Sequence, residues 1–120
     1  MNNDTRRAIA LIAGSIISGK SPSSIYDYSA SKYFSFSGHA DTDSVNVYDY
    51  ANKCYISGSG SNGSYSLYHY GNRKYLNLSI QGSSFKGYDY HSSRHFSGNT
   101  SESSISLYDY EVSKYFNYSL

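Results

Sequence analysis

The chain has 120 residues, a formal net charge of +1, 38% hydrophobic residues and a single cysteine, Cys54. This length fits one domain with one core, and the near-zero charge excludes a global field that would draw the protein onto nucleic acid or an anionic membrane. The lone cysteine excludes an intrachain disulfide and a metal site built on several cysteines, while the 16 tyrosines indicate a β-rich rather than a disordered chain.

The first predicted element is an α-helix with Asp4 as its N-cap, followed by TRRAIALIAGSIIS. Its apolar residues lie on nearly all sides, which is typical of a buried helix, and the apolar run is too short to span a bilayer. Residues 1–21 are therefore predicted to form a helix packed into a repeat domain of residues 22–120, as the plug of a barrel. Gly19 is the expected C′ residue, and Pro22 is expected to stop the helix.

Other interpretations of this segment stay open. TRRAIAL partly resembles a twin-arginine export motif, and the segment also resembles a weak secretory signal. Its polar face is small for an interfacial membrane anchor. Because the apolar run is short and no small-x-small cleavage site follows it, a cytoplasmic location is the expectation.

Residues 14–21, GSIISGKS, match the P-loop pattern at Gly14, Gly19 and Lys20. A phosphate cradle needs a buried strand before the glycines and a helix that starts at Lys-Ser. Here a proline follows immediately, and two β-branched isoleucines occupy the cradle positions. The sequence therefore predicts the end of a helix rather than nucleotide binding, and no cofactor is expected.

From Ile25 onward the chain repeats one unit five times. IYDY, VYDY, LYHY, GYDY and LYDY recur about every 20 residues, and each continues through a short polar turn into SKYFSF, NKCYIS, RKYLNL, SRHFSG or SKYFNY. Each unit predicts a strand, a tight turn, a second strand and a Ser/Gly/Asn linker. Two extra residues near HADTD predict one longer loop.

Period-2 alternation predicts a sheet with one apolar face and one tyrosine face. The apolar face is predicted to hold Ile25, Val45, Val47, Tyr65, Leu67, Phe85, Ile105 and Leu107 from the first strands and Phe34, Phe36, Tyr55, Leu76, Leu78, Phe96, Phe116 and Tyr118 from the second. The tyrosine face is predicted to hold Tyr26, Tyr28, Tyr48, Tyr50, Tyr68, Tyr70, Tyr88, Tyr90, Tyr108 and Tyr110 from the first strands and Tyr33, Cys54, Tyr75, His95 and Tyr115 from the second.

Recurrent charges favour one all-β architecture over another. In antiparallel hairpins each repeat aspartate would form an ion pair across the turn, whereas a β-solenoid would stack aspartate on aspartate. We therefore predict five tandem antiparallel β-hairpins forming a closed or nearly closed meander barrel, with a self-assembling β-solenoid as the alternative. The expected pairs join Asp27 to Lys32, Asp49 to Lys53, Asp89 to Arg94 and Asp109 to Lys114, while His69 replaces the aspartate in the repeat of Lys74.

Candidate chemical groups recur with the repeat rather than form one asymmetric site. The aspartates could be acid/base pairs of a glycosidase-like site, but their regular recurrence favours structural ion pairs. Cys54 lacks an evident histidine partner and is interpreted as structural. His39, His69, His91 and His95 are interpreted as positional variation rather than metal ligands. No catalytic or metal site is predicted.

The tyrosine face is the candidate interaction surface, through its thirteen tyrosines named above. These rings could simply stabilise the sheet, bind a protein partner or a second copy, or stack on sugar rings. Nucleic acid is not expected, because the basic residues are balanced by aspartates. We expect a non-enzymatic structural or interaction module, with a glycan- or small-ligand-binding module as the alternative.

The tandem YDY…SKYF…SG pattern from Ile25 to Leu120 resembles uncharacterised bacterial proteins built from short tyrosine-rich repeats, which implies no activity. The aromatic hairpin with its glycine-containing link also resembles choline- and glucan-binding wall repeats, which depend on the tryptophan that this chain lacks. A barrel around an apolar helix is similar to the tubby-like architecture, and this similarity implies a fold only.

Overall fold

A computed structural model describes residues 1–21 and 23–120, so Pro22 and its expected role lie outside the described residues. The elements are α1 (Asn3–Ser18), β1 (Ser24–Asp27), β2 (Lys32–Ala40), β3 (Ser44–Asp49), β4 (Cys54–Ser61), β5 (Ser64–His69), β6 (Lys74–Gln81), β7 (Ser84–Asp89), β8 (Arg94–Ser101), β9 (Ser104–Asp109) and β10 (Lys114–Ser119). Each strand pairs antiparallel with the next, and β1 pairs with β10, so the sheet closes into a barrel. The predicted hairpin barrel is confirmed, and the chain does not form the β-solenoid.

The helix begins two residues earlier than predicted. Asn2, not Asp4, is the N-cap, because its side chain accepts a 2.8 Å hydrogen bond from the Thr5 backbone N–H. Asp4 lies in the first turn, where its charge complements the helix dipole. Gly19 ends the helix with φ 76°, as predicted, and its N–H bonds to the carbonyl of Ser15. GSIISGKS is thus the last turns of a helix and its C-cap.

α1 lies inside the barrel, as predicted. Every residue from Thr5 to Ser15 is buried, and Ile9, Leu11 and Ile12 are fully enclosed. Removing each such side chain from water contributes roughly 1.5–3 kcal/mol. Among the described residues, no helix combines the length and apolarity that crossing a membrane requires.

The inner face of the barrel carries the predicted apolar residues, with one local error. Asp49 pairs with Cys54 and Tyr48 with Tyr55, so Cys54 faces inward and is buried, while Tyr55 faces outward and is 50% exposed. Both had been assigned to the opposite faces. Lys53 occupies the left-handed position of the turn, with φ 54°, and is not the counterpart of Lys32. Taking it as that counterpart shifted the second strand by one residue.

The extra residues of the first repeat are absorbed by a shift in strand register. In the first repeat, Phe36 pairs with Asp49. In the second repeat, Gly58 takes the place of Phe36, but the residue that pairs with His69 is Ile56. The shift is two residues, so inner and outer faces are preserved.

Large and small side chains alternate inside the barrel. A Cβ on Gly87 would lie 2.4 Å from Phe96 Cζ, and a Cβ on Gly98 would lie 2.5 Å from Phe85 Cζ. The two rings therefore occupy the volume that these glycines leave open, which is the interdigitation that dense packing requires.

Candidate functional site

Fifteen aromatic rings form a surface on the outside of the barrel, which we call the tyrosine belt. It consists of five triads, one for each hairpin. The triads are Tyr26, Tyr28 and Tyr33; Tyr48, Tyr50 and Tyr55; Tyr68, Tyr70 and Tyr75; Tyr88, Tyr90 and His95; and Tyr108, Tyr110 and Tyr115. All thirteen predicted tyrosines lie in the belt, and Tyr55 is the member that the sequence prediction missed.

Each triad has one half-buried central ring and two outer rings. In the third triad the centroid of Tyr68 lies 4.8 Å from that of Tyr70 and 4.9 Å from that of Tyr75, at interplanar angles of 79° and 69°. Such edge-to-face pairs contribute about 0.5–1.5 kcal/mol each beyond area burial. Ring packing thus stabilises each triad, while its outer rings remain about half exposed or more.

Two equivalent grooves lie between neighbouring triads. The third-repeat groove, about 750 Å³ in volume, is lined by Tyr68, Arg73, Lys74, Tyr75, Ser66, Asn77 and Tyr90. The fourth-repeat groove, about 650 Å³, is lined by Tyr88, His95, Tyr110, Lys86, Arg94, Asn77, Ser79, Gly87, Ser93, Phe96 and Ser97. Both therefore combine aromatic rings, cations and uncharged hydrogen-bonding groups.

Hydrogen bonds link successive repeats across these grooves. Asn77 Nδ2 donates to the hydroxyl of Tyr90 at 3.3 Å, and the equivalent pair Ser97 Oγ and Tyr110 hydroxyl lies 3.5 Å apart. These contacts fix one wall of each groove and leave further hydroxyl and amide groups free to meet a ligand.

The repeat aspartates do not form the predicted ion pairs across the turn. Asp27, Asp49, Asp89 and Asp109 are at most 2% exposed, because the alternation that turns Ile25 inward also turns Asp27 inward. Their oxygens accept backbone hydrogen bonds from the following turn, as from Ser29 to Asp27 at 2.9 Å. The basic residues opposite Asp27, Asp89 and Asp109 are instead exposed at the end of the barrel, so the predicted ion pairs across the turn are wrong.

At the amino-terminal end of α1, cationic groups contact one of these buried aspartates. Arg6 Nη1 lies 2.8 Å from Asp109 Oδ2, and the Met1 amine lies 3.0 Å from the same oxygen and also contacts Glu111. Burial alone would raise the pKa of Asp109. The hydrogen bonds from the Met1 amine, the Glu111 backbone N–H and Arg6 outweigh burial and hold the pKa below its usual range.

Arg6 and Arg7 brace the strands on both sides of the barrel seam. β1 and β10 pair through only Tyr26–Ser119 and Asp27–Tyr118. On one side of this seam, Arg7 Nη1 lies 3.5 Å from Asp27 Oδ2 and its guanidinium lies 3.7 Å from the centroid of Phe34. On the other side, Arg6 stacks at 3.9 Å on Phe116. Both arginines of the twin-arginine match are thus buried side chains inside the barrel.

A second cluster lies at the same end of the barrel, where Asp49, Cys54 and His69 face inward. Burial raises the pKa of Asp49, aided by the charge of Asp4, and burial also raises the pKa of the Cys54 thiol. Burial lowers the pKa of His69, whose Nδ1 accepts a 3.0 Å hydrogen bond from the Asn72 N–H, so its ring proton belongs on Nε2. A protonated thiol and a neutral imidazole shielded from water are poorly suited to nucleophilic chemistry.

This cluster lines neither groove of the belt. His91, exposed in the turn after β7, lies close enough to lower the pKa of His69, whereas His39 and His95 lie apart from the cluster. His39 bonds to Ser44 Oγ at 2.9 Å, while His95 belongs to the fourth triad. Within residues 1–21 and 23–120, no three His, Cys, Asp or Glu side chains come together in a group able to hold a metal ion.

The tyrosine belt is therefore the candidate functional site, since it combines exposed rings, open grooves and hydrogen-bonding groups. No family model, curated protein or solved structure matches the chain.

Proposed function

We propose that this chain is a non-catalytic interaction module that binds its ligand on the tyrosine belt, with glycans as the ligand class that best suits the grooves. The observation that carries this proposal is the exposure of nine belt tyrosines, between 48% and 70%, on a barrel whose core is filled by other side chains. Soluble proteins rarely keep so much aromatic surface in water unless it binds something.

The composition of the grooves favours sugars. Tyrosine rings stack on the C–H faces of saturated sugar rings, and nearby amides and hydroxyls bond to the sugar hydroxyls. In the third-repeat groove, Tyr68 and Tyr75 lie beside Asn77 and Ser66, which provide this combination. The grooves are rigid before binding, because the triads and the Asn77–Tyr90 hydrogen bond hold their walls. This rigidity lowers the entropy lost when a ligand binds.

A protein partner or a second copy of the chain is the other candidate occupant of the belt. The aromatic character of the surface supports it, because tyrosine is enriched in the cores of protein interfaces. Light scattering at increasing protein concentration separates this candidate from the first, since self-association raises the measured mass without any added sugar.

Tyrosine fluorescence titrated with a panel of neutral and charged oligosaccharides tests the proposal. Tyr75→Ala and Tyr90→Ala each remove one exposed ring of the third-repeat groove, and Val112→Ala removes an exposed side chain outside the belt. The tyrosine variants should lose about tenfold in affinity, the loss expected for an aromatic anchor, while the valine variant binds like the wild type. Equal binding by all four proteins contradicts the proposal.

A further inference from the structure

We infer that the ligand of the belt is an anionic polysaccharide, a sugar chain carrying carboxylate or sulfate groups, which lies across successive grooves. The inference rests on the proposed function and adds the charge of the ligand and its path around the barrel.

The repeats bury their carboxylates and expose their cations. The four repeat aspartates are buried on the inner face, whereas the repeat cations are exposed to solvent, with Lys86 on the outer face and the others at turns or strand starts at the belt end of the barrel. These exposed cations are Lys32, Lys53, Arg73, Lys74, Lys86, Arg94 and Lys114. A net charge of +1 for the whole chain therefore conceals a cationic surface around the belt end of the barrel.

The exposed carboxylates lie elsewhere. Asp41 and Asp43 are in or beside the turn between β2 and β3, and Glu102 is in the turn between β8 and β9. Both turns lie at the end of the barrel opposite the Arg6 and Met1 contacts. Glu111, at the belt end, already pairs with the Met1 amine. Glu111 is thus the exposed carboxylate at the belt end, and its pairing with the Met1 amine reduces how far it offsets the attraction of the belt for anions.

The cations lie where a bound sugar chain would pass. Arg73 and Lys74 line the third-repeat groove beside Tyr75, and Lys86 and Arg94 line the fourth-repeat groove beside Tyr88. Among the residues that the structure describes, none of these four cations makes an ion pair. Their charges are therefore available to a carboxylate or sulfate group on a ligand whose ring packs against the tyrosine.

The spacing of the grooves favours a polymer over a single sugar. Equivalent positions in successive hairpins are two strands apart, and therefore about 9.6 Å apart along the sheet. This distance is on the scale of a disaccharide unit. A chain that engages one groove would place its next unit near the following groove, which raises affinity through effective concentration.

Single-stranded nucleic acid is the other anionic polymer whose units stack on aromatic rings. Planar bases need flat, accessible platforms. In the belt, the central ring of each triad is inclined at 65–79° to the two outer rings, so the three rings do not form one flat platform. Hydroxyl and amide groups such as Ser66, Asn77 and Ser97 also line the grooves and match the hydroxyls of a sugar chain, which favours the polysaccharide.

The experiment measures binding of four probes of matched length to the full chain: an oligogalacturonate, a sulfated dextran oligomer, neutral dextran and oligo-dT. The proteins are wild type, Arg73→Gln/Lys74→Gln, Tyr75→Ala and a control, Lys20→Gln, which removes an exposed cation outside the grooves. One or both anionic sugars should bind more tightly than neutral dextran and oligo-dT, and more weakly as salt rises. The double variant should weaken this binding about five- to tenfold, whereas the control should not change it.

The outcomes separate this inference from the proposed function. If neutral dextran binds as tightly as the charged oligomers, and Tyr75→Ala weakens binding while the double variant does not, the inference is overturned and the proposed function stands. Tighter binding of oligo-dT than of any sugar overturns the inference in favour of nucleic acid. If Tyr75→Ala leaves sugar binding unchanged, the belt is not the binding surface and both fail.

Discussion

Asp109 and Asp49 occupy equivalent places in their repeats but have opposite electrostatic surroundings, so the same substitution should affect them differently. In Asp109→Asn, Arg6 and the Met1 amine lose the carboxylate that lies 2.8 and 3.0 Å from them. Removing one partner of a buried ion pair costs about 3–5 kcal/mol. Because Glu111 still contacts the Met1 amine, we expect the lower end, about 3 kcal/mol of unfolding free energy.

Asp49→Asn removes a buried charge that has no cation within ion-pair distance among the described residues. Asp49 Oδ1 accepts hydrogen bonds from the N–H groups of Ala51 at 3.0 Å and Asn52 at 3.2 Å, while Oδ2 is buried without a partner. An asparagine keeps the accepting oxygen, and a neutral amide costs less to bury than a carboxylate. We expect a change within about 1 kcal/mol of zero.

Urea unfolding of the wild type and both variants, followed by tyrosine fluorescence at pH 7, gives the comparison. Asp109→Asn should be less stable than Asp49→Asn by about 2 kcal/mol or more. Equal losses, or a larger loss for Asp49→Asn, would refute the assignment of the two environments.

The stabilities of these two variants should also depend differently on pH. The depressed pKa of Asp109 means that its stabilising contribution is present at neutral pH and is lost as pH falls through that pKa. The raised pKa of Asp49 means that its destabilising charge is neutralised early as the solution is acidified. The difference between the two variants should therefore shrink in acid, and a constant difference would contradict the pKa directions.

Further outcomes follow from other parts of the barrel. Arg7→Ala leaves Asp27 buried without its cation and should cost roughly 3 kcal/mol, so an unchanged melting temperature argues against bracing of the seam. Gly87→Ala places a Cβ 1.9 Å from the Asn77 carbonyl oxygen and should cost more than Gly82→Ala, which meets no atom within 4 Å and only places alanine at a φ of 61°; calorimetry of both variants checks the order. Gly19→Val should lower the melting temperature because φ is 76°, whereas added ATP should not shift it. Deletion of residues 1–20 should abolish the cooperative melt, since it empties the core.

Strand alternation was sufficient to predict the hairpins, the two faces and nearly all of the belt. It fails at Cys54 and Tyr55, because Lys53 is not the counterpart of the basic residues that begin the other second strands. Lys53 occupies the left-handed turn position, as Arg73 does in the third repeat, and Cys54 begins β4. The position with positive φ, which a sequence does not display, is what sets the register.

The same alternation puts Asp27 on the inner face with Ile25, whereas the recurrent charges suggested ion pairs across the turn. The cations of Asp27 and Asp109 come from the amino-terminal end of the helix, with Arg6 and Asp109 103 residues apart in sequence. A local pattern cannot reveal such a pair. The cationic character of the belt was missed for the same reason, since it appears only when the carboxylates are known to be inside.

The narrow β1–β10 seam also has a kinetic consequence. Its two paired positions join opposite ends of the chain, so their formation carries the largest loop-closure entropy in the barrel. The five hairpins can form from neighbouring residues, whereas closure must bring Tyr26 to Ser119 and Asp27 to Tyr118. Because this seam has only two paired positions, we expect the barrel to open first between β1 and β10. The Tyr28 amide, which bonds across the seam to Asn117 at 3.2 Å, should exchange its hydrogen faster than the equivalent amide of Tyr70 in the middle of the sheet.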